Sequence, residues 1–139
     1  PPFDIAIALA GPPSSTAKMV AGVAALGGRL PAIANALHET IGDVATEGAH
    51  ALQAGNLDRV GELMNINHGL LCALGVSTID LDTACEVARS CGALGAKLTG
   101  AGGGGCVVAL AHDEELDAIL NTWNQRGWPS FRATINDNS

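Results

Sequence analysis

Five glycines within six consecutive residues, positions 100–105, are the feature that most constrains how this chain can fold. Short β-compatible runs flank them, ALGAKLT before and CVVALA after. The pattern predicts two strands joined by a glycine-rich loop. A turn needs one or two glycines for positive φ, and each further glycine costs conformational entropy. The run therefore favours a backbone that lies close to a ligand.

Known glycine motifs match this run only in part. Gly100, Gly102 and Gly105 satisfy the dinucleotide pattern G-x-G-x-x-G, but that motif leads into a helix, and here a strand follows. A Walker A loop ends in G-K-[ST], whereas this run ends in Gly105 and Cys106. Two interpretations remain, a flexible turn or a concave nest of N–H groups around an anion such as phosphate.

Two polar residues precede the loop. Lys97 and Thr99 would add a cation and a hydroxyl to the mouth of such a nest. Lys97 is equally well explained as a solvated charge at the end of a strand.

In the rest of the chain, apolar residues recur with the period of a helix or of a strand. An apolar run over residues 3–10 suits a central strand, and four helices are predicted between it and the glycine loop. The first predicted helix starts at residues 14–16 and stops at the glycine pair 27–28, and the second starts at Pro31 and stops at Gly55. The third starts at Asn56, and the fourth starts at Ser77 and stops at Gly92. A last helix capped by Asp113 and a strand SFRATIN close the chain. This order predicts one α+β domain over residues 1–139, with a four-stranded, mostly antiparallel sheet packed against helices.

Charge and hydropathy exclude several classes of partner. The net charge of −7 repels nucleic acid and anionic membrane surfaces, and no cluster of Lys or Arg reverses it locally. No apolar stretch reaches the roughly 18 residues of a membrane span. We therefore expect a soluble, cytoplasmic protein. Because the chain enters a strand at once without an initiator Met, we also expect a fragment of a longer protein.

Cysteine and histidine usage argues against a metal site. The four cysteines are Cys72, Cys85, Cys91 and Cys106. They form no C-x-x-C pair, so we expect buried, reduced thiols. No set of Cys and His shows metal-ligand spacing, and no metal site is predicted.

Three segments resemble motifs of the GHMP small-molecule kinases. KLTGAGGGGC (97–106) is similar to the third conserved motif, especially that of mevalonate kinases, and STAKMVAGV (15–23) to the stretch after the first strand of the C-terminal domain. ELMNINHGLLCALGVS (62–77) resembles the helix L-M-x-x-N-x-x-L-x-x-L-G-V-S. Within it, Asn67 matches the family Asn and is expected to be a buried structural amide. His68 stands where the family commonly has Gln.

The resemblance implies a fold and an activity. The fold would be the ferredoxin-like C-terminal domain of a GHMP kinase. The activity would be transfer of the γ-phosphate of ATP to the hydroxyl of mevalonate, giving 5-phosphomevalonate for isoprenoid synthesis. In that family the main nucleotide loop and the catalytic Asp and Lys belong to an N-terminal domain, which we expect to be absent here. No catalytic residue is therefore assigned, the chain alone is expected to be inactive, and the ligands of the accompanying Mg²⁺ are expected mainly outside it.

The resemblance also implies site residues. Phosphoryl transfer demands positioning and charge stabilisation, which a bare loop of backbone amides can supply. The expected contacts on the phosphate side of ATP are Ala101, Gly102, Gly103 and Gly104. Lys97 and Thr99 would support them. Ser15 and Thr16 are expected on the substrate side, although helix capping alone explains them equally well.

Two alternatives stay open. Ala10 stands where family members often carry Thr, so another GHMP kinase, acting on phosphomevalonate or a sugar, is the close second. The lack of a catalytic Asp/Lys pair in this chain leaves room for a non-catalytic anion-binding module. The oligomeric state is also open, and a homodimer is one option.

Overall fold

The computed structural model describes residues 2–12, 15–100 and 105–136. These residues form four strands and five helices, in the predicted order. The elements are β1 (Phe3–Leu9), α1 (Thr16–Arg29), α2 (Pro31–Gln53), α3 (Leu57–Ala73), α4 (Ile79–Ser90), β2 (Gly95–Thr99), β3 (Cys106–Leu110), α5 (Asp113–Gln125) and β4 (Ser130–Ile135).

The four strands form one antiparallel sheet in the order β2-β3-β1-β4. Ile5 lies opposite both Leu110 of β3 and Ala133 of β4, which fixes the register of the central strand. The first strand is central because the chain returns to it on both sides, once after the glycine loop and once after α5. The α+β class and the four-stranded antiparallel sheet are confirmed.

One face of the sheet holds the main core. It carries alternate small or branched residues from the three strands β1, β2 and β3, and helices α4 and α5 cover it. Trp123 of α5 is fully buried there, and its indole N–H donates to the carbonyl of Ala84 in α4 over 3.0 Å. Because the strand side chains are mostly alanine, two helices can approach the sheet closely and a single large aromatic residue can fill the space between them.

The other face is covered only in part. Helices α2 and α3 pack over its β2 side, where Leu110, Val60 and Ala51 form a second buried cluster. Towards β4 the face is open, and Phe131 and Ile135 have 54% and 42% of their surface exposed. A contiguous apolar strip on the sheet therefore faces outward.

Helix α1 does not end at the predicted glycine pair. Gly27 and Gly28 both lie inside the helix, which continues to Arg29. The break falls at Leu30 instead, with φ −134° and ψ 65°, because the residue before Pro31 is disfavoured in the helical region.

The caps of α4 and α5 also differ from the prediction. Thr78, not Ser77, caps α4 by accepting the N–H of Leu81 over 3.1 Å. The hydroxyl of Ser77 donates instead to Asp82. Asp113 is the first residue of α5 rather than its cap, and its carboxylate accepts from Arg132.

Candidate functional site

The glycine loop begins and ends in backbone that only glycine adopts freely. Thr99 and Cys106 are the last registered pair of β2 and β3, so the loop leaves the end of a regular hairpin. Gly100 and Gly105 have φ of +85° and +102°, and nothing lies within 4 Å of a Cβ built on either. Glycine is therefore required there by conformation and not by crowding. The four predicted phosphate contacts, residues 101–104, lie outside the described residues.

The end of β1 lies beside this loop. Leu9 is registered opposite Cys106, and the N–H of buried Ala10 donates to the carbonyl of Gly105 over 2.7 Å. Gly11 then turns the chain with φ +89°. The far side of the loop is thus bonded to the strand that leads into α1.

The N-terminus of α1 follows directly and carries the two predicted substrate-side residues. Ser15 caps the helix, with its hydroxyl oxygen accepting the N–H of Lys18 over 3.1 Å, and Thr16 is the first helical residue. Both are exposed. The first turn, which the structure describes in full, holds no acidic residue. Free N–H groups and a positive helix end whose first turn carries no carboxylate are suited to an anion.

A carboxylate that the sequence analysis did not place here lies close to Gly11. Asp80, in the first turn of α4, is near enough that a Cβ on Gly11 would come within 2.8 Å of its Oδ2. No local pattern could have found this contact, because 69 residues separate the two positions in the chain. An exposed acidic side chain therefore lies beside Gly11, just after the residue that bonds to Gly105.

Lys97 is not the solvated charge at the end of a strand that was one of its two predicted environments. It is half-buried and lines a groove of about 340 Å³ between α2 and α3, together with Asn67 and mostly apolar residues. Burial lowers the pKa of its amine, with an opposing electrostatic effect of Cys85. Thr99 remains exposed at the end of β2. The supporting role of both residues toward the loop stays a prediction.

The outer edge of β2 is closed by side chains of α3 and α4. The N–H of Ala96 donates to Asn65 Oδ1 and that of Leu98 to His68 Nδ1, each over 3.0 Å. Arg89 Nη2 donates to the carbonyl of Ala96 over 3.0 Å and Arg89 Nε to Asn65 Oδ1 over 2.8 Å. An edge strand would otherwise expose these groups, so the strand that carries the glycine loop is held on both sides.

The amide that bonds to β2 is therefore the half-buried Asn65, and the prediction of a buried Asn67 is wrong, because Asn67 is also only half-buried. The strand-facing row of α3 is Gly61, Asn65 and His68, spaced by four and three residues, and Asn67 points into the groove instead. The sequence did contain one signal for this row, a small residue and two polar residues at helical spacing in a single helix.

His68, Cys72 and Asp82 come together although no metal-ligand spacing was predicted. One ligand atom from each lies within 4.8 Å of the others. His68 Nδ1 accepts a backbone N–H, so the neutral ring carries its proton on Nε2, which donates to Asp82 Oδ1 over 2.8 Å. A protonated nitrogen cannot bind a metal, and moving the proton to Nδ1 would set it against the N–H of Leu98. The cluster is a hydrogen-bond network.

The thiols are less buried than predicted. All four cysteines are free, but only Cys85 is fully buried, and burial raises its pKa to about 12. Cys72 is exposed, and partial burial together with the hydrogen bond to Asp82 raises its pKa as well. Neither thiol has the lowered pKa of a reactive cysteine.

Among the described residues, none of the helices combines the length and the apolar character that crossing a membrane requires.

Comparisons with known proteins agree on one family. Residues 49–129 match the family model described as GHMP kinases C terminal. The mevalonate kinase of Methanothermobacter thermautotrophicus is 39% identical over 130 residues, which make up 94% of this chain and 42% of that protein. The mevalonate kinase of Pyrococcus furiosus is 44% identical over 121 residues, or 83% of this chain and 36% of that protein.

A solved structure matches over the whole chain. The crystal structure of L. major mevalonate kinase in complex with R-mevalonate has a TM-score of 0.94 and 32% identity, covering 100% of this chain and 44% of that one. The chain spans less than half the length of these relatives.

Proposed function

Because this chain belongs to the GHMP kinase family through its C-terminal domain, we propose that it is the C-terminal domain of a kinase that transfers the γ-phosphate of ATP to mevalonate. The observation that carries the proposal is the end of the sheet where positive-φ glycines, the end of β1 and the N-terminus of α1 meet. Such an end supplies backbone N–H groups and a positive helix terminus to a phosphate. Mevalonate as the acceptor rests on the names of the relatives.

On the phosphate side, the loop residues Ala101, Gly102, Gly103 and Gly104 would contact ATP. Phosphoryl transfer needs charge stabilisation at the transferring group, and donors fixed before the reaction are the most effective. The fixed ends of the loop support this role, because Gly105 is bonded to Ala10 and the strand before Gly100 is held on both edges.

ATP and Mg²⁺ fit this end of the domain by charge. The first turn of α1 has no acid to repel phosphate and contains the cation Lys18. The exposed carboxylate of Asp80 lies close to Gly11 and is of a type that Mg²⁺ accepts as a ligand, directly or through water. We assign the remaining metal ligands to the part of the enzyme outside this chain.

On the substrate side, Ser15 and Thr16 would present hydroxyls to the acceptor. The hydroxyl oxygen of Ser15 accepts the N–H of Lys18, and its O–H is chemically able to donate to an acceptor. The buried Ala10 has no hydroxyl to offer at the neighbouring position, and this favours a second candidate, a GHMP kinase for phosphomevalonate or a sugar.

An N-terminal domain would supply the catalytic residues. The open apolar strip of the sheet around Phe131 and Ile135 supports the presence of a further covering part, because monomeric proteins seldom expose such patches without a partner. Residues 1–139 would then form one domain of the enzyme, inactive by itself.

The test is a coupled assay of ADP formation with the full-length product of the same coding region and with this chain alone. Mevalonate, phosphomevalonate and galactose are offered separately. We expect turnover with mevalonate in the full-length protein and none in the chain alone. Turnover only with another acceptor would replace mevalonate by that substrate, and no turnover with any acceptor would remove the kinase proposal.

A further inference from the structure

We propose that His68, held by Asp82, is a positioning residue that fixes the entry of the glycine loop through the backbone of Leu98. The inference rests on the proposed function for its effect on ATP, but its structural part stands on the geometry alone. Neither residue touches the proposed reacting groups. Both act through β2, the strand that leads into the loop.

The bond from Leu98 is well placed for this role. Leu98 is the residue before Thr99, where β2 ends, and the loop begins at Gly100. Its N–H points away from β3 and donates to His68 Nδ1 over 3.0 Å in a buried position. The opposite end of the loop is anchored by the bond from Ala10 to Gly105. His68 therefore holds the entry side of the loop, as β1 holds the exit side.

Asp82 fixes the tautomer that makes this bond possible. The ring of His68 is buried, and its Nε2–H donates to Asp82 Oδ1 over 2.8 Å, which leaves Nδ1 unprotonated to accept from Leu98. The hydroxyl of Ser77 donates to the same oxygen over 2.6 Å. Burial acts against the charge of Asp82, but the hydrogen bonds from Ser77 and His68 keep the pKa of this carboxyl below its usual value. Asp82 thus stays ionised and accepts both bonds.

Glutamine is the conservative test residue. Its side-chain oxygen can accept from Leu98 while its amide N–H donates to Asp82, so His68→Gln keeps both bonds. His68→Leu fills the space but leaves a buried N–H of the edge strand without a partner. His38→Gln, on the exposed surface of α2, is the matched control for the loss of a histidine.

The experiment measures kcat and KM for ATP and for mevalonate with the full-length enzyme at one neutral pH. We expect His68→Leu to raise the KM for ATP or lower kcat about fivefold to tenfold, the size of one lost buried hydrogen bond, with little change in the KM for mevalonate. His68→Gln and the control His38→Gln should keep the wild-type rates. Equal impairment of the Gln and Leu variants at His68, or wild-type rates in His68→Leu, would overturn the proposal.

A second readout keeps this test separate from the kinase proposal. Amide hydrogen exchange of the ¹⁵N-labelled full-length protein reports on Leu98 whether or not mevalonate is a substrate. At one pH, we expect Leu98 to exchange faster in His68→Leu than in wild type, and at the wild-type rate in His68→Gln. If exchange at Leu98 does not differ between His68→Leu and His68→Gln, the positioning role is wrong even in an active mevalonate kinase. If wild type is inactive on mevalonate but the exchange pattern holds, only the substrate assignment fails.

Discussion

The closest approach of helix α3 to the sheet occurs at two glycines, and adding one methyl group there should separate them. A Cβ on Gly61 would lie 2.6 Å from the Cβ of Leu94 and closer still to its carbonyl group. A Cβ on Gly95 would in turn overlap the backbone of Gly61. These are backbone contacts, so no side chain can rotate away, and the helix itself must move.

The magnitude follows from two opposing terms for Gly61→Ala. Alanine favours the helix over glycine by about 1 kcal/mol. Overpacking of a tight contact costs about 1–3 kcal/mol, and the upper end applies because the obstacle is main chain. The expected net loss of unfolding free energy is about 2 kcal/mol. Asn65 and His68 share the row of Gly61, so their bonds to β2 should lengthen as the helix shifts.

Gly69→Ala is the matched control on the same helix. Nothing lies within 4 Å of a Cβ at that position, and its φ is not positive. We expect a gain of up to about 1 kcal/mol from helix propensity alone. Urea unfolding followed by circular dichroism should therefore separate the two variants by about 3 kcal/mol, or roughly 10 °C in Tm. If Gly61→Ala were as stable as Gly69→Ala, the close packing of α3 on β2 would be refuted.

Two further changes test the packing on either face of the sheet. Lys97→Met removes a half-buried charge and should stabilise the chain by up to about 1 kcal/mol, a small gain because the amine is partly solvated. Between the lowered pKa of Lys97 and about pH 10.4, the folded wild type binds fewer protons than the unfolded chain. Its free energy of unfolding should therefore rise with pH through that window, and Lys97→Met should lack this rise in urea titrations. Trp123→Phe removes the bond to Ala84 and leaves space in the main core, and should cost about 2–3 kcal/mol in the same assay. A Trp123→Phe variant with wild-type stability would contradict the burial described for this indole.

The order of helices and strands was predictable because the spacing of apolar residues changes along the chain where the type of element changes. Apolar spacing near 3.6 residues fills the stretch between β1 and the glycine loop, and the change to short apolar runs marks the hairpin. Helix ends were less predictable, because two residues compete for one cap. Thr78 caps α4 while the hydroxyl of Ser77 finds a long-range partner in Asp82, a partner that no local rule includes.

The site was predictable only where it is local in sequence. The glycine run and the Ser15 cap could be read directly from the chain. The bonds that hold the loop in place link residues 30 or 31 positions apart, as in the pairs His68 with Leu98 and Asn65 with Ala96. These bonds could not be predicted because they depend on which side of α3 faces β2. That orientation is set by packing in the folded structure.

The central claim is that the glycine loop holds the phosphates of ATP during transfer to mevalonate, and one substitution tests it most directly. Steady-state mevalonate-dependent ADP formation is measured for the full-length wild type and Gly103→Val. Gly28→Val, at an exposed position of α1 where nothing lies within 4 Å, is the control. The account predicts that Gly103→Val lowers kcat about 100-fold or more at unchanged Tm, while Gly28→Val retains its rate. Turnover of Gly103→Val within a few-fold of wild type would contradict the account.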